Sequence, residues 1–149
     1  MVLKRGGKGN RPNAARSLTE EEENELWVSG ELGVKNPNSL LNTLWYMNSL
    51  CFGMRSRVEH HTMCWGDVKL NSDDEGMEYL EYTERQTKTR TGVNPKDIRA
   101  FNPKAYANLK NETRCLVNAY KIYAQMRPSN YSARIRHIIL ESIIKEKMI

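Results

Sequence analysis

The sequence predicts an α+β domain, mainly helical, with a small three-stranded antiparallel sheet set between its helices. Three observations carry that expectation. Leu40, Leu41, Leu44, Met47, Asn48 and Cys51 fall at helical spacing, as do Leu116, Val117, Tyr120, Ile122 and Tyr123 further on. Between them, Met77 to Thr83 alternates around Tyr79, Leu80 and Tyr82, as a half-buried strand does. The 149 residues, 39% hydrophobic and 28% charged, suffice for one globular domain with a modest core.

Each element has its own local signals. Thr19 and Glu22 form a capping box, and the run of glutamates suits the positive end of a helix dipole. Leu26 and Trp27 give this first helix an apolar side, and Gly30 or Gly33 ends it. Asn36 and Pro37 open the second helix, with proline at its first position. Leu44 and Trp45 widen its apolar stripe, and Gly53 stops it. A short helix from Arg57 to Met63 follows, and Trp65 leads into a strand at Val68 and Leu70. Asn71 to Gly76 is a polar turn before the Tyr79 strand. Ile98 to Phe101 is the expected third strand, closed by Pro103. Glu112 to Gln125 is the last core helix, ended by Arg127 and Pro128.

The net charge of +5 is unevenly placed. Lys4, Arg5, Lys8, Arg11 and Arg16 precede the first acid, Glu20, on a stretch rich in glycine, asparagine and proline. The expected organisation is a flexible basic arm over residues 1–17, a domain over 18–128, and an amphipathic tail over 129–149 with an isoleucine stripe. A basic arm of this kind neutralises phosphates. No run is long enough to span a bilayer, and the basic N-terminus lacks the apolar stretch of a secretory signal, so no membrane and an intracellular location are expected. Cys51, Cys64 and Cys115 contain no CxxC pair and read as buried free thiols. Zinc on Cys64 with His60 and His61 is disfavoured, because adjacent histidines on a helix diverge; no metal and no cofactor is expected.

The residues with chemical potential lie at two turns. Gly53-Met54-Arg55 places an arginine at a helix-to-helix turn, and Glu59 lies one helical turn later, where a carboxylate orients a guanidinium. Lys88 sits in a second turn, Thr87 to Gly92, with Arg90 beside it. DNA strand transfer by a tyrosine enzyme needs a tyrosine nucleophile, two arginines on the phosphorane oxygens, a lysine for the leaving oxygen, and histidines for proton transfer.

With these residues in hand, the stretch from Leu3 to about Pro128 resembles the recombinase-derived domain of Crypton transposons, which also occurs in MYM-type zinc-finger proteins and glutamine-rich nuclear proteins. The matching pieces are Leu18–Glu22, Leu26–Gly33, Asn36–Trp45, Phe52–Arg55, Glu59–His61, Trp65–Val68, Glu78–Gly92 and Arg114–Val117. More broadly the chain is similar to the first part of the catalytic domain of tyrosine recombinases and phage integrases. The resemblance implies that Arg55 is the first phosphate-binding arginine, Glu59 its acidic companion and Lys88 the hairpin lysine. The Arg55 to Glu59 spacing is one residue longer than in typical integrases, which leaves Arg55 and Arg57 both open as the residue facing the phosphate. The family's His-x-x-Arg box is absent: His60, His61 and His137 are followed three residues on by Met63, Cys64 and Leu140. Tyr131, the last tyrosine, is wrongly placed for a nucleophile.

The chain therefore reads as truncated before the second catalytic half. The expected function is a degenerate, inactive recombinase-like domain that keeps DNA binding through Lys4, Arg5, Lys8, Arg11, Arg57 and Arg90. The alternatives are a protein-interaction module, with residues 132–149 engaging a nuclear protein or a second copy, and a fragment of an active recombinase. The resemblance and the basic arm imply a nuclear location.

Overall fold

A computed structural model describes residues 16–54, 57–84 and 101–127. Helix α1 spans Glu20–Val28, α2 Pro37–Phe52 and α3 Arg57–Thr62. A single turn of 3₁₀ helix, Trp65–Asp67, leads into β1 (Val68–Ser72); β2 is Glu78–Tyr82 and β3 Lys104–Tyr106. A second 3₁₀ turn, Glu112–Arg114, precedes α4 (Leu116–Met126). The strands form one antiparallel sheet in the order β1-β2-β3. The α+β class and the three-stranded antiparallel sheet are as expected.

The caps explain the helix limits. Thr19 Oγ1 accepts from Glu22 N, and Glu22 Oε2 accepts from Thr19 N at 2.9 Å, closing the capping box that starts α1. Asn36 Oδ1 accepts from Ser39 N at 2.9 Å, and Pro37 occupies the first turn of α2, where its missing N–H costs nothing. Gly53 ends α2 at φ 67°, a left-handed conformation that penalises any side chain.

The core lies between α2, α4 and one face of the sheet. Leu40, Leu44 and Phe52 from α2 meet Val117, Tyr120 and Tyr123 from α4 over Val68, Leu80, Tyr82 and Ala105 of the strands. The register pairs Val68 with Tyr82, Leu70 with Leu80, and Leu80 with Ala105, so one face points inward. Helix α1 contributes no buried residue and lies outside this core.

Three expectations need correction. The third strand is Lys104–Tyr106; Phe101 is 83% exposed in a bend, and residues 98–100 lie outside the described segments. Pro103 opens this strand. It has no N–H to offer, but its carbonyl accepts from Tyr82 N at 3.1 Å, a role proline can fill at the start of an edge strand. The last helix is also shorter at its start. Cys115 is extended (φ −118°, ψ 120°), with its sulfur accepting from Asn108 N, and this separates the 3₁₀ turn from α4. Finally, Trp45 does not widen the core stripe of α2: it is 41% exposed and turned toward α3.

Candidate functional site

The corner where α2 passes into α3 is built from local rules. Gly53 supplies the left-handed turn, Met54 is buried behind it, and α3 begins at Arg57. Arg55, the principal candidate, lies outside the described residues, as do Lys88, Arg90, Lys4, Arg5, Lys8 and Arg11. Arg57 opens α3, and Glu59, its third residue, lies half-buried.

What fixes α3 to α2 is a contact the sequence did not announce. The His60 ring stacks on Trp45 with centroids 3.8 Å apart and planes 13° apart. His61 meets the same indole edge-on. Ser49 Oγ lies 2.9 Å from the Trp45 carbonyl, to which it donates, and 2.9 Å from His60 Nε2, with which it shares a hydrogen bond. Burial pushes the His60 pKa down, opposed more weakly by Glu59. His60 is thus a neutral packing and hydrogen-bonding residue. The spacing of Trp45, Ser49 and His60 was the available signal, since Trp45 and Ser49 lie one turn apart on α2.

The Trp-Gly-Asp step has an equally local cause. Buried Asp67 accepts the Cys64 N–H on its carboxylate at 2.7 Å, closing the 3₁₀ turn. Its carbonyl accepts from Thr83 N at 2.8 Å and so extends the β1–β2 pairing. Trp65 lies flat on Tyr120 (4.5 Å, 2°), and the Arg127 guanidinium stands over the Trp65 ring, 4.9 Å from its centre. Tyr120 donates to the Val68 carbonyl at 3.1 Å. Desolvation pushes its pKa up to about 12, and raises that of Tyr123 as well, with Arg127 opposing both. These tyrosines hold α4 to the sheet; burial keeps both protonated and unsuited to attack.

Charge is unevenly distributed. The described residues hold nine lysines and arginines against fifteen aspartates and glutamates, while the remaining segments hold fourteen basic residues against three acidic. The frame is therefore net acidic, and the positive charge lies on the arm, the 85–100 connection, the tail and Arg55. Among the described residues no three histidine, cysteine or acidic side chains converge as a metal site would require, and no helix is long and apolar enough to cross a membrane.

This chain belongs to the family described as a domain of unknown function, DUF3504, which matches residues 17–142. Among curated relatives it is similar to Zinc finger MYM-type protein 2 of Homo sapiens, 29% identical over 126 residues, covering 76% of this chain and 9% of that protein. Zinc finger MYM-type protein 3 of Homo sapiens is 28% identical over 125 residues, with the same coverage of both chains. The uncharacterized protein KIAA1958 of Homo sapiens is 31% identical over 84 residues, covering 56% of this chain and 12% of that protein. The chain thus spans about a tenth of the length of the curated relatives it matches. No solved structure matches.

Proposed function

We propose that this chain is a tyrosine recombinase-like domain of Crypton type that binds DNA through phosphate contacts and does not itself break it. The observation that carries the reading is the corner at Gly53. A buried helix ends in a left-handed glycine, the chain runs through buried Met54 to Arg55, and a short helix bearing Glu59 follows. A Trp-Gly-Asp turn then feeds a three-stranded antiparallel sheet whose β2–β3 connection contains Lys88. That order is the one in which the first half of such a catalytic domain presents its arginine, acidic companion and lysine.

The charge distribution supports the same reading. An acidic frame directs a polyanion toward the basic arm, Arg55 and the Lys88 connection, where phosphate contacts supply affinity. Without a His-x-x-Arg box in these residues, the second arginine and its histidine are missing from the reaction, so binding without chemistry is the expected activity. A nuclear location follows from DNA as the ligand. The test pairs a binding titration on duplex DNA with a nicked-substrate assay for covalent protein–DNA product. Binding that Arg55→Ala and Lys88→Ala weaken, with no covalent product, is the expected result. A covalent product would overturn the non-catalytic reading.

A further inference from the structure

Three of the stretches singled out in the sequence meet at a place the recombinase reading does not use. Leu26–Gly33, Asn36–Trp45 and the start of Arg114–Val117 together line a cleft of about 320 Å³ between the end of α1, the loop into α2, and the 3₁₀ turn before α4. Trp27 and Val34 give it apolar surface, Ser39 and Thr113 lie along it, and Lys35 and Arg114 are its charged residues.

Its electrostatics run against those of the frame. Fifteen of the twenty-four charged residues in the described segments are acidic, yet the two charged residues lining this cleft are both cations. Among the described residues neither forms an ion pair: Arg114 donates to the neutral Asn24 Oδ1 at 2.5 Å and stands 5.5 Å from the centre of the Trp27 ring. The Trp27 indole Nε1–H is buried and has no acceptor among the described residues, so it reports on the packing of this wall. The cleft therefore offers positive charge without an ion-pair partner beside an apolar wall.

We propose that this cleft docks a peptide segment of a partner protein in which a single side-chain carboxylate lies next to an apolar residue. The carboxylate sits between Lys35 and Arg114, and the apolar side chain covers Trp27 and Val34. Size and surroundings favour this occupant over nucleic acid. A volume of about 320 Å³ lies at the small end of ligand pockets, enough for a few side chains. Helix α1 beside it carries five glutamates and no lysine or arginine, which repels a phosphate backbone but admits one carboxylate held by two cations.

The test uses the full chain and a capped Leu-Leu-Asp-Leu-Val peptide, followed by NMR through the Trp27 indole N–H signal. Saturable binding that moves this signal is expected, with affinity falling about tenfold when asparagine replaces the peptide's aspartate or when Lys35→Glu is introduced. Val28→Asp, at a residue 77% exposed on the cleft, is expected to weaken binding without lowering the melting temperature. The proposal is overturned by absence of saturable binding, by equal affinity for the asparagine peptide, or by a short DNA duplex moving the Trp27 signal as strongly as the peptide does.

Discussion

The His60 imidazole lies flat against the Trp45 indole, 3.8 Å between centroids, and binds Ser49 through Nε2. With the edge-on contact of His61 on the same indole, this stack joins α3 to α2, the longest helix among the described residues. Replacing His60 by alanine removes the stack and the hydrogen bond together. The expected cost is about 1–3 kcal/mol, read as a lower midpoint in denaturant. Trp45→Phe keeps a stacking partner and costs less.

The same residue makes stability depend on pH. Its folded pKa lies below the ordinary value, so the unfolded chain takes up the proton first as pH falls. The contribution is fully present above the unfolded pKa of about 6.5 and is lost as pH drops through and below it. Stability measured between pH 8 and 5 should fall toward acid, and His60→Gln should flatten that slope. An unchanged slope in the variant would assign it to other groups.

Asp67 closes the turn into β1 by accepting the Cys64 N–H. Asp67→Ala leaves that buried donor unmatched and should cost about 1–3 kcal/mol. Asp67→Asn retains an acceptor oxygen and should cost clearly less. Equal losses in urea unfolding would mean that the charge, rather than the hydrogen bond, matters.

At alkaline pH the buried Tyr120 and Tyr123 weigh on stability. Their raised folded pKa values mean that the unfolded chain loses its phenolic protons first, near pH 10, so stability falls as pH rises beyond that point. A spectrophotometric titration should show Tyr120 and Tyr123 among the late tyrosines, ionising together with loss of secondary structure. Tyr120→Phe should remove one of them and cost about 1 kcal/mol, because the hydrogen bond to Val68 goes with the hydroxyl.

Elements with strong local punctuation are legible in the sequence. Asn36, Pro37 and Gly53 bound α2 because caps act within one turn, and the alternation around Leu80 locates β2 because one face is buried. The third strand lies further along than the sequence suggests because proline reads as a terminator, whereas here only its carbonyl is used. Trp45 reads as a core residue because periodicity reports apolarity and not what covers it; its partner His60 comes from another helix. The cleft at Trp27 is illegible because its lining is assembled from segments more than eighty residues apart. Arg55 and Lys88 stand on sequence and resemblance, since both lie outside the described residues.

The central claim is that this domain holds DNA by its phosphates, and the salt dependence of duplex affinity tests it most directly. The 149-residue chain should show log affinity falling linearly with log salt. Alanine at Lys4, Arg5, Lys8 and Arg11 should make the slope shallower by about 0.9 for each phosphate that is no longer neutralised, and Arg55→Ala with Lys88→Ala should reduce it further. Negligible affinity even at about 50 mM salt, or a slope that none of these substitutions changes, would contradict the account.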